Sequence, residues 1–171
     1  MKRKNRNIIL TGMPACGKSV TGVVLAKSLN MQFIDTDLLI QQRAGKSLQQ
    51  ILNEDGMAAF KQIEEDVLCS LKVSGTVIAT GGSAVYYDKA MDHLKENGTV
   101  VYLEASLDTV KKRLKNIKTR GVAMKKGQTL EDLYGARVPL YKKYADVTVH
   151  TGDAPMERTV ENIINALSHI G

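Results

Sequence analysis

Gly12-Met13-Pro14-Ala15-Cys16-Gly17-Lys18-Ser19 decides the reading of this chain. The stretch fits G-x-x-x-x-G-K-[ST] without a gap. Backbone N–H groups that converge on phosphate oxygens need glycine where a Cβ would clash or φ must be positive. A helix that opens at the lysine aims the positive end of its dipole at the same anion. Lys18 then reaches the terminal phosphates, and the Ser19 hydroxyl can ligate Mg²⁺. A bare strand-to-helix turn requires neither the Lys-Ser pair nor this spacing. The candidate nucleotide phosphate-binding residues are therefore Gly12, Met13, Pro14, Ala15, Cys16, Gly17, Lys18, Ser19 and Val20. The dinucleotide pattern G-x-G-x-x-G is absent from this turn, which disfavours NAD.

Outward from the loop, short β-rich apolar runs alternate with longer helical ones. Residues 8–10, 33–34, 76–79, 99–103 and 147–150 read as buried strands flanked by turn residues. Helices are expected over 18–29, 37–44, 48–53, 57–71, 88–96, 107–115, 130–144 and 156–167. In the first of them Val20, Val23 and Val24 are expected to point inward. In the fourth the stripe is Phe60, Ile63, Val67 and Leu71. Strands alternating with helices imply right-handed crossovers and a parallel sheet covered on both faces. The expectation is an α/β, three-layer P-loop NTPase fold with a five-stranded parallel sheet and helices on both faces. Residues 1–171 read as one domain with a basic tail at 1–6.

Composition bounds the rest. The chain has 171 residues, of which 43% are hydrophobic and 25% charged, which suits a globular domain rather than a disordered one. No apolar run approaches the roughly 18 residues of a membrane span. The basic start is followed by only Ile8-Ile9-Leu10, too short for a signal-peptide core, so the reading is cytoplasmic with no membrane partner. Two cysteines make no disulfide framework, and His93, His150 and His169 lie too far apart in sequence for a zinc motif. The net charge of +6 is localised. Residues 1–6 hold four bases and no acid, residues 111–126 hold eight bases and no acid, and the remainder has 12 bases against 18 acids. The second basic stretch can cover an anionic ligand. Aromatics total 5%, without interleaving among the bases, which argues against nucleic acid as a partner.

Asp35-Thr36-Asp37 closes the second strand at the edge where a parallel sheet binds ligands. One carboxylate can hold Mg²⁺ or its waters, and the other can accept the proton of an attacking hydroxyl. The competing reading of Asp37 is a helix cap. Thr80-Gly81-Gly82-Ser83 closes the third strand at the same edge, where paired glycines let N–H groups approach a small ligand.

With these pieces in place the chain resembles the shikimate kinase family, small P-loop kinases of the nucleoside-monophosphate-kinase-like class. The resemblance covers nearly the whole chain. It comprises the phosphate loop, Phe33-Ile34-Asp35-Thr36-Asp37, Phe60-Lys61-Gln62-Ile63-Glu64, Ala79-Thr80-Gly81-Gly82 and Arg137-Val138-Pro139-Leu140-Tyr141. It implies ATP-dependent phosphorylation of a hydroxyl on a small carboxylate, first of all shikimate to shikimate 3-phosphate in aromatic amino-acid biosynthesis, with ATP and Mg²⁺. By position it implies Lys18, Asp37 and Arg120 as catalytic residues, Arg120 being the lid arginine. Ser19 and Asp35 hold the metal. Asp37, Lys61, Gly81, Gly82 and Arg137 bind the substrate, Arg137 through its carboxylate. Arg113 and Pro155 flank adenine. The resemblance also implies a mobile lid at about 112–127, spanned by the second basic stretch, where an anionic nucleotide and an anionic acceptor need a cover. A monomer is expected.

Three positions depart from the family pattern. Lys61 stands where the family has arginine, which exchanges a planar two-pronged donor for a point charge. Ser83 replaces the third glycine of a triple-glycine turn. Arg120-Gly121-Val122-Ala123 replaces Arg-Pro-Leu-Leu, and glycine for proline is expected to loosen the lid. Two of these departures fall where the acceptor binds, so a same-fold kinase for another hydroxy acid or polyol is the alternative. A nucleotide-binding module without catalysis is a further one.

Overall fold

A computed structural model describes residues 5–115 and 121–170 of the chain. Arg120, residues 116–119 of the expected lid and residues 1–4 of the basic tail lie outside the described residues.

The five expected strands form: β1 (Asn7–Thr11), β2 (Gln32–Asp35), β3 (Thr76–Ala79), β4 (Gly98–Glu104) and β5 (Val147–His150). All pair in parallel, in the order β2-β3-β1-β4-β5. β1 is central, with Leu10 in register with Ala79 on one side and Val101 on the other. Ile9, Leu10, Val77, Ile78, Val100, Val101, Tyr102 and Leu103 are all buried. A strand covered on both faces reads as an unbroken apolar run, as these do. Chain order reverses across β1, since β2 and β3 lie to one side and β4 and β5 to the other. That switch point opens a crevice at the carboxyl ends of the strands.

The helices are α1 (Lys18–Leu29), α2 (Thr36–Ala44), α3 (Leu48–Gln50), α4 (Gly56–Ser70), α5 (Asp88–Glu96), α6 (Leu107–Lys115), α7 (Leu130–Tyr144) and α8 (Met156–His169). Local chemistry sets several ends. Thr129 and Asp132 form a capping box for α7, and Gly45 closes α2 at a φ of 67°. The segment expected as one helix over 48–53 differs. A capping box between Ser47 and Gln50 starts α3, and a wider π-type turn, Ile51–Asp55, then leads to Gly56 at a φ of 88°. That turn buries Ile51.

The inward face of α1 also differs from expectation. Val20 and Val23 are exposed and Val24 is half-buried, while Thr21, Gly22, Leu25 and Ala26 face the sheet. The cause is close packing. A Cβ on Gly22 would stand 2.6 Å from Phe33 Cε2 and 3.3 Å from Leu10 Cδ1, so the small residues must face inward. On α4 the expected stripe holds, with Phe60 and Val67 buried and Ile63 and Leu71 half-buried, but Glu64 and Leu68 are buried as well.

Two apolar clusters result. The larger encloses the sheet. A smaller one, Ile40, Ile51, Phe60 and Val67, joins α2, the π-type turn and α4, with Leu48 and Ala123 packed against it.

Candidate active site

The loop 12–19 leaves β1 at the switch point and wraps the start of α1. Gly12 has a φ of 150° and Gly17 a φ of 93°. A Cβ on Gly12 would stand 2.7 Å from the Leu103 carbonyl oxygen and 2.9 Å from Cys16 Sγ, so this position has no space for a side chain. Ala15 adopts a φ of 63°, left-handed backbone that a non-glycine residue takes only under constraint. Lys18 is buried, and its Nζ donates to the Gly12 and Met13 carbonyl oxygens, each at 2.8 Å. Cys16 is buried beneath the loop, with its Sγ 3.6 Å from Lys18 Nζ.

Asp35 ties the loop to α2. One of its oxygens accepts from Ser19 Oγ at 2.7 Å, and the other accepts from the Asp37 N–H at 3.0 Å. The helix cap is thus Asp35 and not Asp37. Asp37, one residue into α2, lines the cleft. Ser19 and Asp35 present adjacent hard oxygen donors beside the phosphate loop. Mg²⁺ favours such a set, because it completes its shell with water and substrate phosphates. Among the described residues no three His, Cys, Asp or Glu side chains gather into a metal cage.

A cleft of about 340 Å³ runs from this loop across the sheet edge, lined among others by Pro14, Lys18, Ser19, Asp37, Glu64, Gly81 and Arg137. Thr80 anchors the turn after β3 by donating through both N–H and Oγ to the Leu10 carbonyl, at 3.1 and 2.8 Å. The next two glycines have no spare room. A Cβ on Gly81 would stand 2.8 Å from both Asp37 Oδ1 and Glu64 Oε2. One on Gly82 would stand 2.7 Å from Arg137 Nη1 and 3.0 Å from Pro14 Cδ. The Tyr141 hydroxyl holds the turn by donating to the Gly82 carbonyl at 2.6 Å, and its ring stacks on Tyr102.

Arg137, from the middle of α7, is 1% exposed. Nη2 donates to the Ala123 carbonyl at 3.0 Å, the guanidinium lies over the Tyr86 ring, and Nε has no partner. Lys61 is exposed on α4 and does not line the cleft, although Phe60 beside it does. Gly121 packs on α3, where a Cβ would stand 2.5 Å from Leu48 Cβ and 2.9 Å from the Gln49 nitrogen, so glycine here serves close approach.

Glu64, which closes the Phe60-Lys61-Gln62-Ile63-Glu64 stretch, is a cleft residue to which the sequence alone assigned no role. It is 1% exposed and accepts a short hydrogen bond from Ser83 Oγ, while Oε2 has no partner. Burial pushes its carboxyl up to about 7, and the Asp37 charge adds to this; Ser83, Tyr87 and Arg137 oppose it. The Tyr87 hydroxyl faces the same carboxyl without completing a hydrogen bond. The available signal was position, since Glu64 follows Phe60 by one helical turn on the apolar face.

A second cleft, about 410 Å³, lies on the outer side of the phosphate loop, lined by Cys16, Gly17, Val20, Arg113, Gly152, Ala154 and Met156, among others. Arg113 bridges its walls, donating to the Ala15 and Gly152 carbonyls, each at 3.1 Å. Pro155 is exposed at the start of α8, between two lining residues, and does not itself line the cleft. Among the described residues no helix is long and apolar enough to cross a membrane.

A parallel sheet with a phosphate loop at its switch point, facing a carboxylate and a buried arginine across one cleft, defines a P-loop phosphotransferase. The family model for shikimate kinase matches residues 14–168. A shikimate kinase of Pseudomonas paraeruginosa is 40% identical over 164 residues, covering 94% of this chain and 95% of the relative. Among solved structures, a shikimate kinase from Acinetobacter baumannii in complex with shikimate superposes with a TM-score of 0.87 at 29% identity, covering 97% of this chain and 96% of the other. One from Aquifex aeolicus gives 0.79 at 32%, covering 95% and 96%. The chain belongs to the shikimate kinase family. Members of this family use ATP and Mg²⁺.

Proposed function

We propose that the chain transfers the γ-phosphoryl group of ATP to a hydroxyl of shikimate, giving shikimate 3-phosphate and ADP. The observation that carries this reading is the single cleft that sets Asp37 and Arg137 around Gly81-Gly82, open to the phosphate loop. Arg137 receives the acceptor's carboxylate through a charge-assisted pair, and the N–H groups of Gly81 and Gly82 contact the same molecule. Lys61 serves as a second cation, turning its flexible stem inward from the rim of α4. Asp37 orients the acceptor hydroxyl and takes its proton as the oxygen attacks the γ-phosphorus and the bond to the β-phosphate breaks. Lys18 exchanges its two loop carbonyls for phosphate oxygens. Mg²⁺, held by Ser19 and Asp35, supplies charge neutralisation on the phosphates when bound. Adenine lies in the outer cleft, with Arg113 and Pro155 on its flanks.

In this reading the chain works as one domain, a cytoplasmic monomer, in which 112–127 closes over the phosphates and brings Arg120 to them. Closure excludes water and so suppresses hydrolysis of ATP. A coupled ADP-release assay with ATP–Mg²⁺ and a panel of hydroxy acids tests it. Shikimate should be the preferred acceptor. Fast turnover of another hydroxy acid with none of shikimate would refute the acceptor and leave the kinase reading standing.

A further inference from the structure

We propose that Ser83 and Glu64 make acceptor binding proton-linked: the acceptor's anionic group enters beside Arg137 together with a proton that rests on Glu64, in a carboxyl that Ser83 holds fixed. This rests on the reading of the acceptor as a carboxylate.

The geometry is specific. Glu64 and Ser83 are both buried and both line the cleft, and the Ser83 hydroxyl fixes one carboxyl oxygen. The other oxygen is buried without a partner and sits beside Gly81, where Asp37 Oδ1 approaches the same point. An ionised Glu64 therefore places a second negative charge next to Asp37, in the space an anion must share. The cation that acts on Glu64 in the free protein is Arg137, and with Lys61 exposed outside the cleft it cannot neutralise Asp37, Glu64 and an incoming carboxylate together. A proton on Oε2 removes the repulsion and turns a bare acceptor atom into a donor directed at the acceptor's oxygens.

Other charged groups of the packed elements act at other points: Arg43 of α2 donates to Ser70 Oγ, and Lys89 of α5 with Glu65 and Asp66 of α4 acts on Cys69. Glu54 and Asp55 of the π-type turn pair with Lys46, and His93 of α5 contacts the Leu71 carbonyl. Lys61 on α4 itself is exposed. Arg137, Asp37, Ser83 and Tyr87 remain to act on Glu64. Burial already holds its carboxyl at about 7 in the free protein, and an acceptor anion drives it higher, so binding takes up a proton near neutral pH. Ser83, as a donor to the ionised form, keeps this transition near neutrality.

The test is the pH dependence of acceptor and nucleotide KM from pH 6 to 9, with calorimetry of shikimate binding in two buffers of different ionisation enthalpy. Acceptor KM should rise above neutrality by up to about tenfold per pH unit, with ATP KM flat and close to one proton taken up on binding near pH 8. Ser83→Ala should move the transition to higher pH, and Glu64→Gln should abolish both the transition and the proton uptake. Turnover of shikimate with a pH-independent KM and no proton uptake would overturn the linkage alone. A transition that persists in Glu64→Gln would do the same. Neither binding nor turnover of shikimate at any pH would overturn the acceptor reading, and the linkage with it.

Discussion

Replacing Gly82 by alanine adds one methyl group at the tightest point of the cleft. Gly82 does not have a positive φ, so alanine introduces no backbone strain and the effect is steric. The new Cβ would stand 2.7 Å from Arg137 Nη1 and 3.0 Å from Pro14 Cδ. Ordinary contact at about 3.4 Å requires a guanidinium displacement of roughly 0.7 Å. Arg137 is 1% exposed and tied to the Ala123 carbonyl, so its guanidinium can move only by straining that bond and shifting into the cleft that the acceptor is to occupy. Overpacking of this kind costs roughly 1–3 kcal/mol, partly offset by about 0.4–1 kcal/mol from the reduced freedom of the unfolded chain. A net loss of about 1–2 kcal/mol corresponds to a fall of roughly 2–8 °C in Tm for a chain of this size. Misplacement near 1 Å in a positioning group costs on the order of 100-fold in rate, so acceptor kcat/KM should fall roughly 10- to 100-fold. Thermal denaturation and a coupled ADP assay with each substrate varied in turn measure both. A Gly82→Ala protein of native Tm whose acceptor kcat/KM stays within twofold would refute the claim that Arg137 is held against this turn.

Asp37→Asn should lower kcat by about 10²- to 10⁴-fold with ATP KM little changed, because it removes the proton acceptor and keeps the shape; steady-state kinetics checks this. Lys61→Arg should lower acceptor KM by about tenfold through a two-pronged grip on the carboxylate, and an unchanged KM would leave Arg137 as the single cation for that group. Stability should also depend on pH through Glu64. Its folded carboxyl is held near 7, above an ordinary value of 4.5, so its contribution is fully present below about 4.5 and lost as pH rises through 7. The loss is on the order of 3 kcal/mol, and denaturant titrations should show it between pH 5 and 8 in the natural protein but not in Glu64→Gln.

The sheet was legible because its three central strands, β1, β3 and β4, are buried on both faces and form continuous apolar runs such as Ile8-Ile9-Leu10. The edge strands β2 and β5, expected to be buried, are largely half-buried or exposed. The phosphate loop was legible because its chemistry is local and fixed in spacing. The face of α1 was not, since apolar periodicity picked the valines, whereas packing was set by Gly22 against Phe33 in a different element. The Glu64–Ser83 contact was invisible for a related reason. An acid within a helix reads as solvent-facing until the fold brings a hydroxyl from 19 positions away to meet it. Arg137 was placed by resemblance, and its burial depends on Gly82, Tyr86 and Ala123, none of them near it in sequence.

The division of the interior into two clusters bears on how such an enzyme can change over generations. The phosphate loop is seated on the large cluster around the sheet, where Met13 and Cys16 are embedded. The wall formed by α2, the π-type turn and α4 rests on the small one. Lys61 lies on that wall, and Ser83 bonds to it through Glu64. Drift among Ile40, Ile51, Phe60, Val67 and their neighbours therefore acts first on that wall and reaches the nucleotide cradle chiefly through Asp35, which ties the loop to α2. A lineage can try new acceptors one wall at a time as long as Asp35 keeps that tie.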